Sequence, residues 1–250
     1  MNESEPTIEP HLQSLIALIC SLEKEYSEIP VMLTSTFRVI FSLVNVAKGL
    51  TNRFISEIFT TLLTIESSES VPKIIKSQTA KTIQFLAQET GYKSVAELYS
   101  QEVEIILNGY TKEVVSGWNK YSKDRYKFGL IVRNCKGEMS HLLDRVLEVI
   151  EQCTHKRFDI ELRMDMLVYT EAILKIPELQ APLKKRAVFI LRNILIPSTV
   201  WKVGQANLKI RKAGIICMIH LIDNKVISSQ ELQSVPPPRN VIPLLSLRRH

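Results

Sequence analysis

A glutamate and a histidine lie three residues apart at Glu138 and His141, so a helix would place their carboxylate and imidazole groups on one face. In di-iron helical bundles, such a Glu-x-x-His pair binds metal together with a second copy of the motif and two further carboxylates. The sequence has no second copy. We therefore interpret Glu138 and His141 as surface residues, and we predict no metal ligand and no cofactor.

A cysteine and a histidine also occur close together, at Cys153 and His155. A thiolate activated by an imidazole is the nucleophile of cysteine-dependent enzymes. Residues two positions apart on a helix do not face each other, however, and no third group that would orient the imidazole stands out. Glycine-rich phosphate-binding loops are absent as well. The sequence thus predicts a protein that is not an enzyme, with no catalytic or cofactor-binding residue and no small-molecule substrate.

Aromatic and basic residues alternate in one part of the chain. They are Trp118, Tyr121, Tyr126 and Phe128, interleaved with Lys120, Lys123, Arg125 and Lys127. Such a cluster could form a surface patch that stacks on a ligand or a partner protein. The other interpretation is an irregular helical repeat in which the aromatic rings pack inward and the lysines extend outward. We favour the second interpretation.

The composition indicates a soluble globular protein rather than a disordered chain. Apolar residues make up 45% of the 250 residues, charged residues make up 23%, and the net charge is +6. The basic residues are spread along the chain at helical spacing, and no basic groove studded with aromatic residues is apparent. Nucleic acid is therefore not an expected partner.

Several features predict a cytoplasmic location. The acidic stretch from Met1 to Glu9 has neither the basic flank nor the apolar run of a signal peptide. The longest apolar stretches, such as Ile215–Ile222, are much shorter than the roughly 20 residues that span a bilayer, so no membrane association is expected. Four cysteines far apart in a chain without a secretory segment are expected to be reduced; they are Cys20, Cys135, Cys153 and Cys217.

Apolar residues recur every three or four positions through most of the chain, which is the pattern of amphipathic helices. Ser94-x-x-Glu97 predicts an N-terminal cap for a helix that continues through Leu107, and Ser228-x-x-Glu231 predicts a cap for a short final helix. Grouped in pairs, the predicted helices begin near residues 11, 51, 94, 138 and 179. The sequence therefore has a repeat of roughly 40–47 residues with two helices in each unit.

This repeat length is typical of HEAT and armadillo proteins, in which stacked helical hairpins bury a shared apolar stripe. We therefore predict an all-α fold, an α-solenoid of about five HEAT- or armadillo-like hairpins over residues 11–233. A compact helical bundle is the alternative. Residues 1–10 are predicted to be disordered, and residues 234–250, which contain three consecutive prolines, are predicted to form an irregular tail.

The segment from Ile196 to Leu221 is the most distinctive part of the chain. Trp201 could be an exposed interaction anchor, or its indole could pack between the last two helices, where Gly204 allows a sharp turn after it; we favour the packed arrangement. Ala213 and Gly214 are expected to let the following helix approach its neighbour closely. We interpret the segment as part of the structural framework.

The same segment resembles the dynein axonemal assembly factor 5 family. The matching elements are Pro197, Val200-Trp201-Lys202-x-Gly204, Ile210-Arg211-x-Ala213 and Cys217, and the similarity continues through Ile227–Glu231. The chain departs from the family pattern at Gln205, where a basic residue is expected. It also departs in the proline-rich tail, which replaces further repeats. We therefore expect a partial or truncated chain.

The resemblance implies a non-enzymatic HEAT-repeat scaffold for the cytoplasmic preassembly of axonemal dynein arms. The partners that it implies are axonemal dynein chains, other dynein assembly factors and chaperones. The alternative function is that of a generic HEAT-type adaptor in transport or in the assembly of other large complexes. No partner-binding residue follows from the resemblance, because the matched positions are expected to belong to the framework.

Overall fold

The computed structural model describes residues 9–26, 29–200 and 202–235, and every regular element in these ranges is helical. No strand occurs within them, so the predicted all-α class is confirmed. The chain divides into two compact units that meet between Val103 and Glu104, called here the first and the second unit. The proline-rich tail from residue 236 onward, residues 1–8 and Trp201 lie outside the described residues.

Within its described residues, the first unit contains five α-helices. They are α1 (Glu9–Glu25), α2 (Pro30–Ala47), α3 (Ile55–Ser67), α4 (Lys73–Glu89) and α5 (Val95–Glu102), with a 3₁₀ segment at Lys48–Phe54 between α2 and α3. Helix α1 contacts α2 and α3, α2 contacts α4, and α5 contacts both α3 and α4. Proline occupies the first position of α2 and the cap of α4, where its missing N–H costs no helical hydrogen bond.

The core of the first unit is formed mainly by α3. Its fully buried side chains include Phe59, Leu62 and Leu63. The ring of Phe59 meets that of Tyr99 on α5 edge to face, with ring centroids 4.9 Å apart. Edge-to-face aromatic pairs are favoured by the ring quadrupoles, so this pair fixes α5 against α3.

Within its described residues, the second unit contains nine α-helices. They are α6 (Glu104–Gly109), α7 (Lys112–Ser116), α8 (Lys123–Cys135), α9 (Leu143–Thr154), α10 (Ile160–Leu174), α11 (Gln180–Phe189), α12 (Ile196–Thr199), α13 (Gln205–Asp223) and α14 (Ser229–Ser234). Two 3₁₀ segments, Lys136–Leu142 and Pro177–Leu179, and a π-helical turn, Ile190–Leu195, connect them. Helix α10 is central, because it contacts α8, α9 and α13.

The two predicted caps have different outcomes. The box at Ser228 is confirmed, since Ser228 Oγ accepts a hydrogen bond from the Glu231 N–H and the Glu231 carboxylate accepts one from the Ser228 N–H. At Ser94 only half of the box forms, because the Glu97 carboxylate accepts from Lys93 N–H instead. The predicted helix through Leu107 is also interrupted: α5 ends at Glu102 and α6 begins at Glu104.

The predicted close approach of the last long helix occurs at Gly214. A Cβ atom at Gly214 would lie 3.1 Å from Thr199 Cγ2 and 3.3 Å from Ser198 Cβ, so only glycine allows this spacing of α13 and α12 without adjustment. Ala213 is partly buried, and the role predicted for it stays a prediction.

Helix α2 is long and apolar enough to cross a membrane by length and composition, and it is the one described helix that passes this test. Sequence analysis missed it because polar residues such as Ser35 and Arg38 interrupt its apolar stretches. In the structure, 39% of its residues are buried, including Leu33, Phe37 and Ile40. The core helices of soluble proteins meet the same criteria, and other apolar residues of α2, such as Val39 and Val46, are exposed.

Candidate functional site

Glu138 and His141 lie on the 3₁₀ segment before α9, and both side chains are exposed. The residues between and after them that face inward are Met139 and Leu142, which are buried. In the described ranges, no group of three His, Cys, Asp or Glu side chains lies close enough together to hold a metal ion. Glu138 and His141 therefore lie on the surface, as the sequence predicted.

Cys153 is buried, whereas His155 is exposed. The Cys153 thiol is fully buried at the end of α9, and this burial raises its pKa to about 12. His155 follows the helix and is exposed, and its Nδ1 accepts a hydrogen bond 3.4 Å long from the Arg157 N–H. A thiol that stays protonated at neutral pH is a poor nucleophile, so this pair does not form a nucleophile–base arrangement.

The aromatic and basic residues divide between core and surface. Trp118 and Phe128 are buried, with ring centroids 6.1 Å apart. Sequence analysis missed two further members of the cluster: the ring of Tyr110 lies 4.9 Å from that of Trp118, and the ring of Tyr169 lies 5.9 Å from that of Phe128. All of these pairs are edge to face, which is a favourable arrangement. The aromatic rings therefore pack inward, which confirms the favoured interpretation for these residues.

The basic members of the cluster are arranged around this core. Arg125 is buried, and its guanidinium donates to the Asp165 carboxylate on α10 and to the Lys120 carbonyl. It also lies over the ring of Tyr126, 4.8 Å from the centroid. Tyr121, in contrast, is 76% exposed. The cluster therefore packs α8 against α10. Tyr121 is its exposed aromatic residue.

Burial also makes the fold sensitive to alkali. It raises the pKa of Tyr169, whose ordinary value is 10.0, to about 12, and it raises the pKa of three cysteine thiols from 9.0 to about 12; these are Cys135, Cys153 and Cys217. The unfolded chain releases these protons at lower pH than the folded protein does. Between pH 9 and 12 the folded state therefore binds more protons, and the free energy of unfolding is expected to fall as the pH rises through this window.

Urea unfolding at a series of pH values under reducing conditions measures this effect. The free energy of unfolding should be nearly level from pH 7 to about 9 and should decline above it. Tyr169→Phe removes one of the responsible groups and should make the decline above pH 10 less steep. Tyr121→Phe, at an exposed tyrosine, is the control and should leave the slope unchanged. A stability that stays constant up to pH 12 would contradict the prediction.

The best candidate for a functional site is the outer face of α13. The inner face of this helix is buried: Ile210, Gly214 and Leu221 pack toward α10 and α12, and the Cys217 thiol donates to the Leu167 carbonyl over 3.3 Å. The outer face carries a second row of large apolar side chains, each 45–50% exposed; they are Leu208, Ile215, Ile219 and Ile222. We call this row the α13 stripe.

The spacing of the α13 stripe keeps its side chains on one line along the helix, because successive members are seven, four and three positions apart. Lys212 lies within the row and Lys209 beside it, and both are exposed. Ile215, Ile219 and Ile222 form the uninterrupted part of the row, and exposed apolar surface bordered by charge is typical of a protein-interaction site. The stripe offers apolar contact and charge rather than a reactive group.

Sequence analysis missed the α13 stripe because it assigned a single apolar row to the last long helix. The signal was present in the composition of the segment Ile215–Leu221, in which apolar side chains occur on every side of the helix. A helix that is apolar all round has more than one face to bury. Trp201, the other candidate in this part of the chain, lies outside the described residues, so its packing remains a prediction.

The fold and this surface define an all-α protein of paired helices with an exposed apolar row on its last long helix. Among curated proteins, the chain is similar to dynein axonemal assembly factor 5 of Mus musculus, with 23% identity over 181 residues. The similar region covers 71% of this chain and 21% of that protein, so the chain spans about a fifth of the relative's length. No protein-family model matches the sequence, and no solved structure matches it.

Proposed function

We propose that this protein is a non-enzymatic helical scaffold for the cytoplasmic preassembly of axonemal dynein arms. The similarity to a dynein axonemal assembly factor over 71% of the chain supports the choice of client. The α13 stripe supports the binding role, and it is the structural observation on which the proposal depends. The clients would be axonemal dynein chains, with other assembly factors and chaperones as further partners.

Contacts within each unit support the solenoid arrangement that such a scaffold would have. In the first unit, α1 contacts α3 and α2 contacts α4. In the second unit, α7 contacts α9, while α8 contacts α10 and α10 contacts α13. Each helix of a pair thus contacts the corresponding helix of the next pair, as stacked hairpins do when they bury a shared stripe. Stacked hairpins of this kind suit large protein clients better than small molecules.

The α13 stripe would take up an apolar segment of the client. Each of its four side chains leaves about half of its surface in water, so burial against a partner would gain roughly 25 cal/mol for each Å² removed from solvent. Lys209 and Lys212 would favour an acidic rim on the client, because complementary charge speeds encounter and sets orientation. Helix α13 packs against α10 and α12 through its inner face, so the stripe needs no rearrangement of that packing to meet a partner.

The proposal is tested by removing the stripe in ciliated cells that lack the endogenous protein. Tagged wild-type chain should co-purify with dynein heavy or intermediate chains and should restore dynein arms seen by electron microscopy. The double variant Ile215→Glu/Ile219→Glu should reduce that co-purification by about tenfold or more, which is about 1.4 kcal/mol in binding free energy. Both side chains are half exposed, so the fold should be retained.

Val114→Glu is the matched control, since Val114 is, like Ile215 and Ile219, a partly exposed aliphatic residue but lies on α7. It should leave dynein co-purification unchanged. Intact arms in cells without the protein, together with no dynein chain in the purified complex, would reject the assembly function. Transport factors or other large-complex subunits in place of dynein would indicate the generic adaptor instead.

A further inference from the structure

A groove runs between α1 and α2 on the surface of the first unit. It has a volume of about 440 Å³ and is lined mainly by apolar side chains; the lining residues are Leu15, Arg38, Val39, Ser42, Leu43 and Val46. Val39 and Val46 are 44% and 66% exposed, although they lie on a helix whose opposite face is core. An apolar groove of this kind leaves surface in water that a partner could cover.

The exposed residues of α2 follow the spacing of a helix-binding surface. Val39, Ser42 and Val46 all line the groove, and successive members are three and four positions apart, which places them along one line of the helix. Leu15 lines the groove from the neighbouring helix α1. A partner helix binds such a groove by inserting side chains at i, i+4 and i+7.

Charge restricts the kind of partner. Arg38 is the single charged residue of α2, and it lines the groove. The groove lining contains no acidic residue. Among the described residues, Arg38 forms no ion pair or side-chain hydrogen bond, and its side chain is exposed. The surface is therefore apolar with one unpaired cation at one end of its α2 lining, and its complement is an apolar face with one carboxylate.

We propose that the α1–α2 groove binds an amphipathic helix of a partner protein, and that this helix presents a carboxylate to Arg38. The groove belongs to the first unit, so the proposal is independent of the α13 stripe and of the dynein assignment. The apolar side chains of the bound helix cover Val39, Leu43 and Val46. The pairing with Arg38 fixes the register of the helix along the groove.

Two other occupants fit the charge pattern less well. Helices that lie on anionic membranes carry many lysines and arginines on the polar face, whereas α2 has one cation and the exposed part of α1 includes Glu25 beside Lys24. A second copy of the chain would pair α2 with itself about a two-fold axis. Helix α2 contains no acidic residue, so an α2–α2 contact would leave both Arg38 side chains without a carboxylate.

The probe is a set of designed amphipathic peptides of about 16 residues, long enough for roughly four helical turns. All members share apolar residues at i, i+4, i+7 and i+11, and they differ only in the position of one glutamate on the flank. A second set has lysine in place of the glutamate. Fluorescence anisotropy measures binding of each labelled peptide to the full chain. At least one glutamate peptide should bind saturably with a micromolar Kd, and its lysine counterpart should bind at least about tenfold more weakly.

Charge reversal gives the decisive comparison. Arg38→Glu should weaken binding of the glutamate peptide by about tenfold or more and should make the lysine peptide the tighter ligand. Val39→Ser/Val46→Ser should weaken the binding of both peptides. The matched controls are Lys81→Glu and Ile74→Ser on α4, which alter an exposed cation and an apolar residue that is 68% exposed. Both controls should bind like wild type, and thermal melting should show that all variants are folded.

Three results would overturn the proposal. One is that no peptide binds saturably, or that wild type and Arg38→Glu prefer the same peptide charge. Another is a stable dimer in sedimentation that Val39→Ser/Val46→Ser dissociates, which would assign the groove to a second copy. The third is binding to vesicles of phosphatidylserine and phosphatidylcholine that the same double variant abolishes, which would assign it to a lipid surface.

Discussion

Replacing Phe128 with alanine is expected to lower the free energy of unfolding by about 3–5 kcal/mol, the usual cost of deleting a buried aromatic ring. The Phe128 ring is fully buried on α8 and meets the rings of Tyr110, Trp118 and Tyr169. Its removal leaves a cavity at the point where α8 packs against α10. The adjacent Gly129 has no side chain with which to fill that cavity. Urea unfolding followed by circular dichroism measures the loss.

Tyr121→Ala is the matched control for this prediction. Tyr121 comes from the same aromatic and basic stretch of sequence but is 76% exposed, so its truncation should change stability by no more than about 0.5 kcal/mol. Equal effects at Phe128 and Tyr121 would show that the division of the cluster into core and surface is wrong. A large effect on partner binding at Tyr121, without loss of stability, would restore the interaction-patch interpretation for that residue alone.

Arg125→Met is expected to destabilise the protein by about 2–4 kcal/mol. Arg125 is buried and donates to the Asp165 carboxylate and to the Lys120 carbonyl, so its loss leaves an anion and a backbone acceptor without their cation. Removing one partner of a buried pair costs about 3–5 kcal/mol, and the partial exposure of Asp165 lowers that figure. The same unfolding measurement at neutral pH gives the value.

A double-mutant cycle isolates the ion pair from the packing of the arginine side chain. Asp165→Asn alone should cost less than Arg125→Met, because Asp165 keeps contact with water. The double variant should be more stable than the sum of the single effects predicts, with a coupling of about 0.5–3 kcal/mol. Lys175→Met, which breaks the exposed pair with Glu171, should cost about 0.3–0.5 kcal/mol. Strict additivity of Arg125→Met and Asp165→Asn would mean that the pair contributes no interaction energy.

The two candidate binding surfaces lie on different units and differ in character. The α13 stripe is a convex row on one helix with lysines beside it, whereas the α1–α2 groove is concave and has one arginine. Variants of the two surfaces therefore separate two binding events. A client that required both would lose affinity at either site, and the loss in the combined variant would exceed each single loss.

Much of the helical framework was predictable because its information is local. The helix-pair starts predicted near residues 11, 51 and 94 lie close to the first residues of α1, α3 and α5. The Ser228 cap forms as predicted. Such signals act between residues within one or two turns, so neighbours in the sequence are enough to specify them.

The break between α5 and α6 was not predictable in the same way. The capping signal at Ser94 was correct for the start of α5, but nothing nearby in the sequence marks the end at Glu102. In the structure, the Glu102 carboxylate accepts hydrogen bonds from the hydroxyls of Ser56 and Tyr92. The Ser56 hydroxyl lies 46 residues away in the chain. The spacing of apolar residues along the helix cannot predict a contact between residues so far apart in the chain.

The sequence by itself determined that the protein is built of helices, where most of them begin, and that Glu138 and His141 lack the companions of a metal site. Only the tertiary structure decided which of two apolar rows on α13 is buried, which aromatic residues enter the core, and that Arg125 meets Asp165. The physical reason is that periodicity places side chains on a face, but burial depends on which distant helix covers that face. Arg125 and Asp165 are 40 residues apart, and their pairing exists only once α8 packs on α10.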